Sequence, residues 1–334
     1  MAAIAMLAIA CGAYAEGLSA ERLGVLYNAD DPATETLARF YAARRGIPKS
    51  HVVGVRLGRA AVITPAAFEP IRKATLDRLP SEVDSLALVW SRPFAVGCMS
   101  VTTAFAAGYR AAFCEPGCGA TSLNPLYDSQ GWLPADTVGW WPSMLIPSDD
   151  AALAHNLIER GMAAEGSRPP GTVYLVRTDD AARNVRSSTY PDVVSTFAQR
   201  VRIVELQTPV AADVSDAIAY FTGAAHVAEL NRIHFRPGAL ADHLTSSAGV
   251  LAGGTQTSAI EWLNQGASAS YGSVSEPCNR LEKFPNIGVL LRHYLGGETA
   301  MESYWKSVAM PGQGLMVGDP LARAYASHGQ VANP

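Results

Sequence analysis

Charge is the scarcest resource in this chain. Only 17% of its 334 residues are Asp, Glu, Lys or Arg, and the formal net charge is -4. Lys and Arg are scattered rather than clustered, which removes the electrostatic footprint of a nucleic-acid-binding protein. Beyond the N-terminus no run of eighteen apolar residues occurs, so the sequence offers no permanent membrane-spanning helix. Nucleotide motifs are missing as well. Gly253-Gly254 and Gly312-x-Gly314 do not form a dinucleotide fingerprint, and no Walker-type loop is present. Neither H-E-x-x-H nor a G-x-S-x-G elbow appears, so the common zinc-protease and serine-hydrolase signatures are excluded, and no cofactor or metal is implied.

What is abundant is apolar material, 49% of the chain, enough for a sizeable core. The first stretch of it reads as an export signal. Ala2 to Ala10 carry no charge, and Ala13-Tyr14-Ala15 supply small residues at cleavage-site spacing, which places a signal peptide over residues 1–15. No Lys or Arg precedes the run. Cys11 after Ala8-Ile9-Ala10 offers lipidation as an alternative, although Leu would be expected where Ala8 stands, and a buried N-terminal helix is a third. Secretion or periplasmic residence follows from the first reading, and it exposes Cys98, Cys114, Cys118 and Cys278 to an oxidising compartment. Cys114 and Cys118 sit in the turn-forming F-C-E-P-G-C, so a disulfide involving at least one of Cys98, Cys114 and Cys118 is expected. Zinc would need four ligands, and no second Cys or His pair stands at ligand spacing.

Beyond the leader the pattern alternates. Strands are expected at Leu23–Tyr27, His51–Leu57 and Leu86–Trp90, with helices started by Asp31-Pro32 and Thr64-Pro65 between them. Strand–helix alternation implies parallel pairing with right-handed crossovers. From Ser91 to Pro147 the periodicity dissolves into Gly, Pro, aromatic residues and cysteines, which reads as a long structured insertion. Alternation then resumes: a helix over 149–160, strands at 173–176 and 201–206 with a helix over 191–200 between them, and a strand at 217–222. A loop carries His226 and His234 before the segment Leu240 to Gly249. A helix over 258–264, a strand over 267–274, helices over 286–294 and 298–308, and a strand at 315–317 complete the chain. The fold class expected is α/β: one domain over residues 20–326, a mainly parallel sheet with helices on both faces, and a Cys- and aromatic-containing insertion at 91–147.

Chemistry is best sought where strands end. Asp242-His243-Leu244-Thr245-Ser246-Ser247-Ala248-Gly249 is an apolar strand running into hydroxyl residues and Gly, at the carboxyl edge of a parallel sheet where α/β sites form. Ser246 or Ser247 becomes a nucleophile only with a base in reach. By chain order His226 is the nearest candidate, with His234 and His243 as alternatives, and backbone N–H groups near Gly249 would hold an oxyanion. The plainer reading is that these hydroxyls cap the next helix or satisfy the loop. A metal-dependent hydrolase around Asp242, His243 and Glu276 is a further reading.

Tyr220-Phe221-Thr222-Gly223, the Thr245–Gly249 turn, Ser258 to Leu263, Gly266-Ala267-Ser268-Ala269 and the closing Gly318-Asp319-Pro320-Leu321 are similar in order to the catalytic domain of gingipain-like, caspase-fold cysteine peptidases. The resemblance implies a caspase-like part over about 172–326. In those enzymes a His follows one strand and a Cys ends the next. Here the His falls near His226, two residues late, and the Cys position falls at Ser246. Over nearly the whole chain, Y-N-A-D-D-P, A-R-R-G-I-P, A-D-H-L-T-S-S-A-G, G-A-S-A-S-Y-G-S-V-S-E-P-C-N, Y-W-K-S-V and V-G-D-P-L resemble a family of secreted bacterial proteins from genomes that carry exosortase, the envelope protein-sorting system. That resemblance implies a context rather than a reaction. Two functions remain open: a peptidase-like hydrolase lacking the usual Cys, acting on peptide or protein, or a non-catalytic binding or assembly module that engages an envelope component, for which Trp140-Trp141 would offer a peptide or glycan surface if exposed, although buried core is the commoner fate of Trp.

Overall fold

Each apolar run that follows a turn signal becomes a strand of one sheet. The computed structural model describes residues 17–326 apart from 115–117, 133–134, 209–210 and 212. The expected leader at 1–15, with Cys11, lies outside the described residues. The first half of the chain contributes β1 (Leu23–Asn28), α1 (Pro32–Arg45), β2 (Val52–Val55), β3 (Val62–Ile63), α2 (Pro65–Leu76), β4 (Ser85–Val89), β5 (Ala95–Val96), β6 (Met99–Ser100), α3 (Val101–Ala107), α4 (Ala135–Val138), β7 (Ser143–Ile146) and α5 (Ala151–Ala163). The second half contributes β8 (Thr172–Arg177), α6 (Tyr190–Phe197), β9 (Arg202–Gln207), β10 (Val214–Gly223), β11 (Ile233–Leu244), α7 (Ala259–Gln265), β12 (Ala269–Ser273), α8 (Ile287–Leu295), α9 (Ala300–Ser307) and β13 (Gly314–Gly318).

The start signals work as their chemistry dictates. Asp31 accepts from the Ala33 N–H with Pro32 at the first helical position, and Thr64 accepts from the Ala67 N–H in the same way. Ser258 with Glu261, and Thr299 with Glu302, form complete capping boxes on α7 and α9. Among the described residues no helix is long and apolar enough to cross a membrane.

Among the described residues ten strands form one sheet in the order β2-β1-β4-β7-β13-β12-β11-β10-β8-β9, with helices packed against it. The expected α/β class with a mainly parallel sheet is therefore present. Every recorded pairing in that sheet is parallel except β12 with β13. The sheet is thus two parallel halves joined back to back, and their carboxyl ends point to opposite ends of the sheet. In the second half the chain runs from β8 to β9 on one side, then crosses to β10 on the other. The direction of winding thus reverses between β8 and β10, the kind of switch point beside which open α/β sheets bind ligands.

Two local differences from the sequence reading matter. Segment 91–147 is no uniform insertion: its last residues form β7, which sits inside the sheet between β4 and β13. Four buried residues bracketed by Pro142 and Pro147 are too short to show a period. His234 lies in β11 rather than in a loop. The closing Gly-Asp-Pro is scaffold, because buried Asp319 accepts from Tyr41 Oη at 2.9 Å and pairs with Arg45, tying the last strand to α1.

Candidate functional site

The carboxyl edge of the second half-sheet brings four loops together. After β8, Thr178 Oγ1 donates to the Gly223 carbonyl at 2.6 Å, which joins that loop to the end of β10. Arg183 reaches from the same loop to Thr245 Oγ1 (3.0 Å) and pairs with Asp180 (3.0 Å). After β11, the Gln256 side-chain carbonyl accepts from Thr245 Oγ1, Ser247 Oγ and the Ser247 N–H, each at 2.8 Å. After β12, Glu276 and Cys278 close the other wall. Between them lies a cleft of about 220 Å³, lined by Arg183, Thr245, Ser246, Glu276, Cys278 and Asn279 together with Ala182 and Leu244.

The small residues explain why the turn after β11 lies so close to β12. A Cβ on Gly249 would stand 2.5 Å from the Gly272 carbonyl oxygen, and one on Gly272 would stand 2.4 Å from the Ala248 backbone. Two bare backbones therefore meet, and the Gly249 N–H donates to the Ser273 carbonyl at 2.9 Å. That bond removes the donor expected near Gly249 for an oxyanion. The Val250 N–H is likewise spent on the Ser247 carbonyl, and the Ser247 N–H on Gln256.

The sequence-selected side chains separate into three groups. Ser246 lines the cleft, half-buried, and its hydroxyl makes no hydrogen bond among the described residues. Ser247 is tied to Gln256. His226 is exposed on the loop after β10, the parallel neighbour of β11, but it does not line the cleft and makes no hydrogen bond to Ser246. His243 is a buried strand residue, and as a base for the cleft it is corrected here. Its Nδ1 accepts from Trp262 Nε1 at 2.8 Å. Burial first, then the Arg186 guanidinium, push its pKa down to about 3, against the opposing pull of the Thr257 backbone. A ring so held is a neutral core histidine.

Asp242, one residue earlier, projects to the opposite face of the sheet. It is buried and contacts Arg186 Nη1 at 2.6 Å, and its carboxylate has no other donor among the described residues. The contact is a close charge pair rather than an aligned hydrogen bond. Burial raises the Asp242 pKa, and Arg186 pulls it the other way. Arg186 also donates to the Thr222 carbonyl at 3.1 Å, under the end of β10. Because adjacent strand residues face apart, Asp242 and His243 cannot share a metal with Glu276. No group of three potential ligands occurs among the described residues.

Two disulfides frame the edge: Cys98–Cys114 and Cys118–Cys278. The three expected cysteines are all bridged, and the partner left unassigned is Cys278. Counting would have found it, since four cysteines beyond the leader make two bridges. Trp140 corrects the exposed aromatic surface. It is 5% exposed and packs edge-on against Trp305 and Phe113, while Trp141 is half-buried under Arg72. Another groove, about 340 Å³, lies between α5 and α7. Leu153, Leu157, Ile260 and Leu263 line it, with Asp149 and Asp150 its only acids, so it lacks the mixed polar set of the edge cleft.

No family model matches the chain, and no curated protein matches it. A solved structure described as "Structure of Protease" is similar, with a TM-score of 0.47 and 9% identity over 92% of this chain and 79% of that one. Likeness at that level adds nothing to the chemistry read from the side chains.

Proposed function

We propose that the protein is a binding module of the bacterial cell envelope with a peptidase-like α/β fold, whose edge cleft holds an extended peptide without cleaving it. One observation carries this reading: the groups that acyl transfer would need are already engaged. The Ser247 and Gly249 N–H groups are bonded internally, His243 is sealed in the core, and Ser246 has no base in hydrogen-bond contact. The walls still carry what a peptide recognises: Arg183, whose Nε and Nη1 are engaged by Thr245 and Asp180, keeps Nη2 without a hydrogen bond among the described residues, and Glu276, whose Oε1 accepts from the Cys278 N–H at 2.7 Å, keeps Oε2. Two disulfides favour an oxidising compartment, in keeping with export and with the exosortase setting that the sequence motifs imply.

A second reading has one observation of its own. The Ser246 hydroxyl opens into the cleft without an internal partner, so substrate binding that drew His226 inward would create a Ser–His hydrolase. A fluorophosphonate probe separates the two. The binding reading expects no labelling of the folded protein, and retention of extended peptides on an array that is lost in Arg183→Glu. Labelling that disappears in Ser246→Ala would establish the hydrolase instead.

A further inference from the structure

The two disulfides are not equivalent. Cys114 belongs to the main hydrophobic core and is 3% exposed, whereas Cys118 is exposed and Cys278 lines the edge cleft beside Ser246. The Cys118–Cys278 bridge also holds together segments that other contacts already hold. Upstream of Cys118, Cys114 is bridged to Cys98. Downstream, the Ser122 N–H donates to the Ala112 carbonyl at 2.9 Å, and Asn124 Nδ2 donates to the Trp305 and Val308 carbonyls at 2.6 and 3.0 Å. On the other side, Val274 donates to the Gln313 carbonyl and Ser275 Oγ to the Cys98 carbonyl at 2.7 Å. Past Cys278, Tyr271 Oη donates to the Lys283 carbonyl at 2.6 Å and the Met310 N–H to the Glu282 carbonyl at 2.8 Å. The turn from Glu276 to Asn279 is tied at its start, where Gln313 Nε2 donates to the Glu276 carbonyl at 2.5 Å and the Cys278 N–H to Glu276 Oε1 at 2.7 Å, so what the bridge adds is the anchor of Pro277 to Asn279. Within that turn Cys278 adopts a left-handed backbone, φ 52°, which a side chain other than glycine accepts only at a cost.

We propose that Cys118–Cys278 is a thiol-exchange site through which an external dithiol opens the edge cleft and delivers a free thiol into it. The first thiolate of the dithiol attacks Sγ of exposed Cys118. The S–S bond breaks, Cys278 leaves as a thiolate, and Cys118 is held in a mixed disulfide. The second thiol of the reductant then displaces Cys118, so the dithiol is oxidised to its own disulfide while the protein bridge takes up two electrons and two protons. Released from Cys118, the Pro277–Asn279 stretch can relax about a Glu276 still held by Gln313, and the Cys278 thiol stands in the same cleft as Ser246. This inference rests on the cleft's walls and not on which ligand occupies it.

Oxidised full-length protein is treated with graded dithiothreitol, trapped with N-ethylmaleimide and mapped by peptide mass. Cys118 and Cys278 are expected to label at dithiothreitol concentrations about tenfold below those that expose Cys98 and Cys114, with the far-ultraviolet circular dichroism unchanged. Simultaneous opening, the reverse order, or loss of the dichroism with the first bridge would overturn the proposal. In folded Cys118→Ser protein, iodoacetamide is expected to modify Cys278, and adding Ser246→Trp to slow that reaction about tenfold by filling the cleft. A Cys278 that reacts only after denaturation, or at a rate indifferent to Ser246→Trp, would equally refute it.

Discussion

Acidification should destabilise this protein through one buried histidine. His243 is 1% exposed, its Nδ1 accepts the Trp262 indole N–H, and its pKa is pushed down to about 3. In the unfolded chain the same ring titrates near 6.5. Because the folded value is depressed, the stabilisation is fully present above the unfolded value and is lost as pH falls from there toward the folded one. At pH 4.5 the ring lies about two pH units below its unfolded value while still neutral in the fold. At about 1.4 kcal/mol per unit, this removes about 3 kcal/mol relative to pH 7.5 or above. Carboxylates titrate over the same range, so the measurement is a difference. Urea unfolding, followed by circular dichroism at pH 7.5 and 4.5, is compared between the parent and His243→Asn. Asn retains an acceptor for Trp262, and the cavity it leaves costs the same at both pH values. The parent should lose about 3 kcal/mol more than the variant on acidification. Equal losses would refute the argument, as would an NMR titration of His243 with a midpoint near the unfolded value.

Two other perturbations probe the same edge. Arg186→Met leaves the Asp242 carboxyl buried without its 2.6 Å partner and should cost about 3–5 kcal/mol in urea unfolding, whereas Arg186→Met with Asp242→Leu should cost less than the single change. A double variant no more stable than the single one would contradict this. Gln256→Ala removes the acceptor shared by Thr245 and Ser247. It should lower stability by about 1–3 kcal/mol and speed hydrogen exchange at the Ser247 amide. Unchanged protection at that amide would show that Gln256 does not hold the turn.

The separation of His243 from its neighbours shows where sequence reasoning reaches its limit. A histidine next to an aspartate, at the end of an apolar run, has the composition of a site. The period of a strand places the two on opposite faces, so one ends beside Trp262 and the other beside Arg186. Neither partner is near in sequence. Trp140 is similar: its sequence neighbourhood leaves exposure and burial both open, and Trp305 from a remote helix, with Phe113 from the same stretch, decides for burial.

By itself the sequence determined most of the elements outside 91–147 and the kind of sheet. Asp31-Pro32, Thr64-Pro65 and Ser258 with Glu261 are local hydrogen-bonding devices, complete within a few residues, and they begin helices whatever surrounds them. Strand–helix alternation likewise dictated parallel pairing within each half. The candidate edge was also legible, because hydroxyls and Gly after a strand must lie at its carboxyl end. Only the tertiary structure decided that the two halves meet antiparallel at β12 and β13, that β7 belongs in the sheet, and that Cys118 crosses 160 residues to Cys278. Those choices depend on contacts between remote segments, whose closure entropy and packing leave no local trace. The same contacts decided which hydroxyl faces the cleft and which histidine is sealed behind it.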